Sequence, residues 1–366
     1  MHAIRRVHRA ASELRRGVPV ILAGVAPLLL LAAETAGPGS ADELASLSPE
    51  PPVLLLSPAR AAAILRTPMR PEDEVAAIAM PFDMLKTYAF QALPDPTVRQ
   101  NPASRDLLPA PVPLLGPAAL RLAKIGQILP AVLAVPLPVP YAAITAQHDL
   151  VEVEAADILS YPAQEAAELR LVATADVPLT DAPDSRVFAF RTDGSAIEHL
   201  AIVIGRPEEL DAETDAPLVR IHSECFTGDL LGSMRCDCGP QLRGAISRIA
   251  ADGAGVVLYL GQEGRGIGLV NKLRAYHLQD RGLDTMDANR ALGWGADERS
   301  FMVGANMLRI MGIARIRLLT NNPDKIAGLV ACGIDVVGRE SHSVAPNGVN
   351  DDYLDTKAAR FGHMLD

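Results

Sequence analysis

Proline and glycine are distributed unevenly along this 366-residue chain, and that distribution constrains its fold more than any other feature. Of the 29 prolines, 24 lie in residues 1–190, whereas 22 of the 28 glycines lie after residue 190. Proline fixes φ and removes a backbone donor, while glycine permits the tight turns that connect regular elements. We therefore predict two domains, at residues 1–170 and 171–366, and the length of the chain favours the same number.

The first domain is expected to be a proline-rich, irregular α+β domain. Within it, an uncharged run at residues 17–33 follows five arginines, which is the layout of a signal peptide or membrane anchor. The run is shorter than the roughly 20 residues that a spanning helix needs, and glycines and prolines interrupt it. A buried strand–turn–strand is the favoured interpretation, with export, a helix or a membrane-surface segment as alternatives.

The second domain shows alternating apolar strands and amphipathic helices, which favours a layered α/β fold. The strands are predicted at Ile197–Ile204, Leu218–His222, Gly255–Leu260, Ile316–Thr320 and Ile334–Val337. The helices are predicted at Gln241–Ala251, Leu269–Arg281, Phe301–Met311 and Pro323–Ala331. The overall fold class is thus α/β, with a layered α/β C-terminal domain after the α+β domain.

Charge and cysteine usage limit the partners and the compartment. Lys and Arg number 34 against 44 Asp and Glu, a formal net charge of −10. Binding to nucleic acid or an anionic membrane rests on clustered positive charge, so neither is expected. Three of the four cysteines are clustered and the fourth stands apart, unlike a secreted disulfide framework. Free thiols of this kind indicate a reducing, cytoplasmic location.

The cysteine cluster is the strongest local signal. Cys225, Cys236 and Cys238 offer three thiolates, and three protein ligands with an open position are typical of a catalytic zinc site. Two other interpretations stay open: a structural site completed by His222 or a distant histidine, and plain buried cysteines. Cys332 stands alone on an apolar helix and is expected in the core.

Three loops could bind a phosphorylated ligand. Gly261–Leu269 follows a strand and opens a helix, so its backbone N–H groups and Arg265 could hold an anion. Asp297–Arg299 could pair proton transfer with phosphate binding, and Thr320–Lys325 lies at a strand-to-helix junction. Each loop taken alone also fits a tight turn, a capped turn or a solvated charge pair.

Together these motifs resemble a known enzyme family. VRIHSEC, RCDCG, QEGRGIGL, LRAYHLQD, GADER, LLTNNPDK and YLDTKAARFGH, between Val219 and Leu365, are similar to GTP cyclohydrolase II. The resemblance implies a hydrolase that requires zinc and magnesium and opens the guanine imidazole ring of GTP. Formate and pyrophosphate leave, and 2,5-diamino-6-(5-phosphoribosylamino)pyrimidin-4-one is formed, the first step of riboflavin biosynthesis.

The resemblance also implies roles for individual residues. Cys225, Cys236 and Cys238 would hold one zinc ion per subunit of a homodimer, Tyr276 would steady the hydration step, and Asp297 would accept a proton. Arg299 would act either as a nucleophile on the α-phosphorus or, since a guanidinium stays protonated, as a clamp on the departing pyrophosphate. The implied GTP contacts are Arg220, Ile221, His222, Ser223, Glu224, Gln241, Glu263, Gly264, Arg265, Thr285, Thr320 and Lys325.

The first domain resembles dihydroxybutanone phosphate synthase more faintly, through residues 14–20, 31–34 and 118–125. The acidic metal-binding loop of that family is replaced here by Gly24–Leu29, and its Gly-His-Thr-Glu motif by Leu115–Ala118. Apolar residues neither ligate magnesium nor move protons. The first domain is therefore predicted to be degenerate and non-catalytic, and kept for folding, dimerisation or regulation.

Three alternatives to a GTP cyclohydrolase II remain. A related cyclohydrolase in another pathway would share most of the motifs. A non-catalytic nucleotide sensor would be expected to have lost Asp297, Arg299 or a cysteine of the cluster, and all are present. A zinc-finger-like nucleic-acid module would need a fourth ligand in the motif, a basic surface and stacking aromatics.

Overall fold

The structure is a computed structural model that describes residues 3–37, 39–48, 50–70, 72–100, 106–211, 214–351, 360 and 364. The motif at residues 353–363 lies outside the described residues except for Arg360. The chain forms two compact units, the first of Met1–Tyr161 and Val270–Glu298, the second of Pro162–Leu269 and Arg299–Asp366. The predicted division after residue 170 stays a prediction, because packing units and domains need not share their bounds.

The described strands are, in chain order, β1 (Val20–Ala23), β2 (Leu28–Ala32), β3 (Val53–Leu56), β4 (Ala76–Ala79), β5 (Pro109–Ala110), β6 (Ala131–Pro136), β7 (Val151–Glu154), β8 (Arg170–Asp176), β9 (Ser185–Arg191), β10 (Glu198–Ile204), β11 (Leu218–Ser223), β12 (Gly255–Leu260), β13 (Arg315–Leu319) and β14 (Asp335–Glu340). The helices are α1 (Ala3–Arg15), α2 (Ser40–Ser46), α3 (Pro58–Leu65), α4 (Phe82–Lys86), α5 (Gly116–Ile125), α6 (Ala142–His148), α7 (Ala155–Ala167), α8 (Cys238–Asp252), α9 (Leu269–Gln279), α10 (Thr285–Ala291), α11 (Phe301–Ile310) and α12 (Pro323–Ala331).

The first unit contains a seven-stranded sheet in the order β5-β4-β3-β6-β2-β1-β7. The pairs are antiparallel except β1 and β7, which run parallel. The uncharged run forms the antiparallel hairpin β1–β2, whose strand residues are buried, so the strand–turn–strand prediction is confirmed. None of the helices described for this chain is long and apolar enough to cross a membrane.

The first unit is more regular than its proline content predicts, because several of its prolines occupy positions that tolerate them. Pro58 lies at the start of α3 and Pro117 in the first turn of α5, where a missing N–H costs little. Pro109 is on the edge strand β5, and Pro136 ends β6. The expectation of an irregular domain was therefore wrong in this respect.

The second unit contains a seven-stranded sheet in the order β14-β13-β11-β12-β10-β9-β8. The strands β14, β13, β11 and β12 are parallel, and β10, β9 and β8 are antiparallel to their neighbours. Side chains from α11 and α12 pack on one face, and those from α8 pack on the other. The predicted α/β fold class is confirmed.

Candidate metal centre and nucleotide site

The carboxyl ends of the parallel strands meet at one edge of the second sheet. Cys225 follows β11, the loop Gly261–Gly268 follows β12, and Thr320 follows β13. In open α/β sheets ligands bind at this edge, where loops replace the strand ladder. Three motifs far apart in sequence are thus brought to one place by the sheet topology.

The three clustered cysteines converge on a single point. The sulfur atoms of Cys225, Cys236 and Cys238 all lie within 4.8 Å of one another. The Sγ atoms of Cys225 and Cys236 are 3.8 Å apart. Two thiolates of a tetrahedral zinc site, each about 2.3 Å from the ion, are separated by about 3.8 Å. The donor set and its spacing therefore fit zinc.

Gly228 makes this convergence possible. It lies in the single π-helical turn Phe226–Leu230, which is capped by Cys225. A Cβ at this position would lie 2.7 Å from Cys236 Sγ and 3.0 Å from Cys225 Sγ. The space beside the sulfurs is thus available only to a residue without a side chain.

The electrostatics of the cluster favour a cation. A hydrogen bond with Cys225 raises the pKa of Cys236, and hydrogen bonds with Cys225 and Cys236, together with burial, raise the pKa of Cys238. Three thiolates at this spacing repel one another, so deprotonation of all three requires a positive charge among them. A bound divalent cation would provide it.

Asp229 organises the residues behind the cluster, and this role was not predicted from the sequence. Its carboxylate accepts hydrogen bonds from the backbone N–H of Cys225 at 3.0 Å and the hydroxyl of Tyr259 at 3.1 Å. It also lies 3.1 Å from His222 Nε2, and His222 stacks on the Tyr259 ring. Its position four residues after Cys225 was the only signal in the sequence.

His222 faces Asp229 through Nε2 and does not complete the cysteine cluster. Among the described residues, the converging His, Cys, Asp and Glu ligand atoms at this site are the three sulfurs. Burial lowers the pKa of His222, although its hydrogen bond to Asp229 opposes the change. The interpretation of a structural site closed by His222 is therefore not supported.

Two cations predicted to bind GTP are buried beside the strand ends. Arg220 donates to the carbonyl of Leu319 at 3.0 Å and to Gln241 Oε1, and Gln241 donates to Asp237. Burial lowers the pKa of Arg220 to about 10, so it stays charged near neutral pH. Lys325 Nζ donates to the carbonyl of Ile221 at 2.7 Å.

Two buried polar atoms on β11 have no hydrogen-bond partner within the described part of the chain. They are Nε of Arg220 and Oγ of Ser223. A buried polar group without a partner is costly, and such groups are often satisfied by a ligand. Thr320 is 1% exposed, and its hydroxyl accepts from the backbone N–H of Asn322 at 3.0 Å.

The glycine-rich loop after β12 takes an unusual backbone path. Gly264, Arg265, Gly266 and Gly268 all have positive φ, with values of 64°, 64°, 95° and 84°. Glu263 fixes this path, since its carboxylate accepts from the N–H of Gly264 at 2.8 Å and from the N–H of Phe226 at 2.6 Å. The loop is therefore tied to the turn that follows Cys225.

His199 supports the same loop from β10, and its role was not predicted from the sequence either. The N–H of Gly261 donates to His199 Nδ1 at 3.1 Å, so that nitrogen must be unprotonated. Burial lowers the pKa of His199 to about 4. A lone histidine on an apolar strand gave no signal, because its partner is a backbone group in another strand's loop.

Comparison with known proteins places the chain in a family. The model of the family GTP cyclohydrolase II matches residues 170–341. GTP cyclohydrolase-2 of Azospirillum brasilense is 44% identical over 371 residues, covering 99% of this chain and 94% of that protein. The chain belongs to the GTP cyclohydrolase II family.

Two further comparisons concern the two parts of the chain. GTP cyclohydrolase-2 of Pasteurella multocida is 48% identical over 200 residues, which are 54% of this chain and 89% of that protein. A solved two-domain 3,4-dihydroxy-2-butanone 4-phosphate synthase from A. baumannii covers 93% of this chain and aligns over its own full length, at 17% identity and a TM-score of 0.35. A score this low supports no inference. The degenerate-synthase interpretation of the first domain thus rests on its sequence motifs.

The remaining residues implied by the GTP cyclohydrolase II motifs are divided between the two units. Tyr276 on α9, Thr285 at the start of α10, and the exposed Asp297 belong to the first unit. Arg299 belongs to the second, with its guanidinium 5.9 Å from the Phe301 ring. The residues that the second unit brings to the strand ends are therefore Arg220–Cys225, Cys236, Cys238, Gln241, Glu263–Arg265, Thr320 and Lys325.

Proposed function

We propose that this protein is a GTP cyclohydrolase II, a hydrolase that opens the imidazole ring of guanine in GTP. Formate and pyrophosphate are released, and 2,5-diamino-6-(5-phosphoribosylamino)pyrimidin-4-one is the product, the first intermediate of riboflavin biosynthesis. The observation that carries the proposal is the convergence of Cys225, Cys236 and Cys238 beside buried cations at the carboxyl edge of parallel strands. Family membership supports it independently.

The second unit supplies groups suited to hold a triphosphate on an acidic protein. Arg220 and Lys325 place positive charge at the strand ends, and Arg220 Nε and Ser223 Oγ, which are buried without a partner in the described part of the chain, would be satisfied by a polar ligand. The loop at Gly264–Gly268 lies at the carboxyl end of β12, and the guanidinium of Arg265 would donate charge-assisted hydrogen bonds to a phosphate there. Ile221, His222 and Glu224 would line the same nucleotide-binding site. Its sides would be formed by Gln241, Glu263 and Thr320.

The cysteines would hold one zinc ion per subunit, which when bound supplies a Lewis acid and a water of lowered pKa for attack on the ring carbon between the imidazole nitrogens. Tyr276 steadies the hydration of that carbon, and Asp297 accepts the proton that the attacking oxygen loses. Asp297 is exposed, so its carboxylate can exchange protons with solvent. Thr285 contributes a hydroxyl to nucleotide binding.

Arg299 is proposed as a clamp on the departing pyrophosphate, with magnesium neutralising the remaining phosphate charge. A guanidinium keeps its proton throughout the accessible pH range and donates several parallel hydrogen bonds, which suits an oxyanion better than it suits nucleophilic attack. The proposal includes a homodimer in the cytoplasm, where the free thiols would stay reduced.

The test is to incubate the zinc-loaded protein with GTP and Mg²⁺ and to identify every product by mass spectrometry, with formate and pyrophosphate assays alongside. Formate, pyrophosphate and the diaminopyrimidinone in equal amounts are expected. A product that retains the formyl carbon would indicate a related cyclohydrolase that stops early. Intact GTP that remains bound would replace the proposal with a nucleotide sensor.

A further inference from the structure

The segment Val270–Glu298 packs as part of the first unit although it lies inside the stretch matched by the family model. Several of its side chains are buried: Asn271, Ala275, Leu278, Ala288, Leu292 and Trp294. The segment carries Tyr276, Thr285 and Asp297, which the proposed function assigns to the reaction. Residues 1–161 therefore form part of the packing environment of the segment that carries these groups.

Arg274 on α9 is the centre of this packing. Its guanidinium bonds to Glu34 at 2.8 Å through one terminal nitrogen and to Asp95 at 2.9 Å through Nε. It also donates to Asn271 Oδ1 at 2.9 Å, and Asn271, fully buried, donates to the carbonyl of Gln127. One side chain thus links α9 to carboxylates from two separate parts of the first 161 residues.

Both carboxylates are also held by hydrogen bonds to groups other than Arg274. Glu34 accepts from the backbone N–H of Leu129 through Oε2 and presents Oε1 to Arg274. Asp95 accepts from the N–H and hydroxyl of Thr97 through Oδ1 and presents Oδ2 to Arg274. Carboxylates held in this way make a preformed receptor, so little conformational entropy is lost when the guanidinium binds.

The C-terminal end of the segment Val270–Glu298 is held by contacts that do not involve Arg274. Lys124 of α5 forms an ion pair with Glu298, the neighbour of Asp297, and its Nζ lies 5.8 Å from the Trp294 ring centroid. Gly293, with φ of 88°, runs so close to Pro130 and Ser57 that a Cβ would contact both. The two catalytic candidates in the segment, Tyr276 and Asp297, are thus each within two residues of a contact with residues 1–161.

We infer that residues 1–161 act as a positioning scaffold for the cyclohydrolase reaction, with Glu34, Asp95 and Arg274 as positioning residues. The inference rests on the proposed function and gives the first domain, whose own catalytic motifs are replaced by apolar residues, a role in catalysis through Tyr276 and Asp297. It predicts that weakening the ion pairs of Arg274 with Glu34 and Asp95 lowers the turnover of GTP without affecting the cysteine cluster.

The experiment uses the full-length zinc-loaded protein with Glu34→Gln and Asp95→Asn combined, which keeps the shapes of the side chains and removes both negative charges. Arg274→Lys is the conservative variant, because it keeps the positive charge. It should still weaken the contact, since one ammonium cannot bridge both carboxylates as the forked guanidinium does. Asp157→Asn is the matched control, because Asp157 forms a comparable ion pair with Arg6 at 2.7 Å in the same unit. Zinc content, kcat, KM for GTP and hydrogen exchange of peptides within 270–298 are measured for each.

We expect the double variant to lose at least tenfold in kcat and to exchange faster within 270–298, with zinc content unchanged. Arg274→Lys should lie between it and the wild type, and Asp157→Asn should match the wild type. Wild-type kcat and exchange in the double variant would overturn the inference, as would an equal loss in Asp157→Asn. If wild-type protein does not consume GTP, the proposed function fails, and the exchange data still decide whether the receptor holds the segment. If the double variant does not fold, Arg274→Lys alone carries the same comparison.

Discussion

The carboxylate of Asp229 lies 3.1 Å from Nε2 of His222, and both side chains are almost fully buried. The same carboxylate accepts from the backbone N–H of Cys225, so this pair is joined directly to a cysteine of the cluster. A carboxylate that accepts from the backbone N–H of a ligand residue holds the backbone of that residue in place behind the metal site. Asp229 is therefore expected to set the geometry of the metal site although it does not contact the metal.

Replacing Asp229 by Asn should weaken zinc binding about 10- to 100-fold, since groups behind metal ligands commonly contribute that much. The amide keeps the size of the side chain but loses the charge that three donors share. Competition with a chromogenic chelator measures the affinity. Tyr259→Phe, which removes one of the three donors, should have a smaller effect, and Asp252→Asn, remote from the cluster, should have none. An unchanged affinity in Asp229→Asn would contradict this role.

Gly228→Ala should abolish stoichiometric zinc binding, because the added Cβ would lie 2.7 Å from Cys236 Sγ. Real Cβ atoms do not approach other atoms this closely, so the sulfurs must separate. Gly304→Ala is the control, since a Cβ there meets its nearest side-chain atom at 3.6 Å, an ordinary contact in a helix interior. Metal analysis of both purified variants checks the prediction, and full zinc content in Gly228→Ala would refute it.

The local pattern of the second domain was enough to predict nine of its elements, whereas β8, β9 and α10 were not predicted. The predicted strand Gly255–Leu260 and helix Pro323–Ala331 have the observed bounds, and the other seven predicted elements differ by a few residues at their ends. This success follows from strong apolar periodicity and from clear start signals such as Pro323. The cysteine spacing likewise predicted the cluster, because three thiols within a short stretch have few other uses.

The contacts between segments that are distant in the chain could not be predicted from the sequence. Nothing in the sequence around Arg274 indicates that Glu34 and Asp95 form its receptor, because those residues come from loops far away in the chain. Asp229 and His199 were missed because each accepts from a backbone N–H, which carries no residue-type signal. The side chains that Asp229 also contacts, His222 and Tyr259, come from two different strands. Composition was also a poor guide to regularity in the first unit, where prolines at helix starts and strand ends leave the sheet intact.

Substitution of single cysteines should separate the cluster from the fourth thiol. Cys225→Ser, Cys236→Ser and Cys238→Ser should each lose the bound zinc and all turnover of GTP, since a hydroxyl near neutral pH is a poor substitute for a thiolate ligand. Cys332→Ser makes the same chemical change at a residue packed against the second unit's core and outside the cluster. It should retain one zinc per chain and wild-type activity. Loss of zinc in Cys332→Ser would mean that the ligand set is wrong.

His199 should make the stability of the second unit depend on pH. Burial lowers its pKa from 6.5 to about 4 in the folded protein, while the unfolded chain keeps the ordinary value. Between these values the unfolded state binds a proton that the folded state excludes, so stability falls as the pH falls below about 6.5. From pH 7 to pH 5 the loss attributable to His199 is about 2 kcal/mol.

The matched variant is His199→Gln, which can still accept from the N–H of Gly261 but does not titrate. Urea unfolding of both proteins at pH 7 and pH 5 measures the difference. His222 and His342, whose pKa values burial also lowers, contribute equally to both proteins and cancel in the comparison. The wild type should therefore lose more stability than the variant on acidification. Equal losses would show that His199 is protonated in the folded protein, and the Gly261 hydrogen bond that orders the glycine-rich loop would then have to be absent at pH 5.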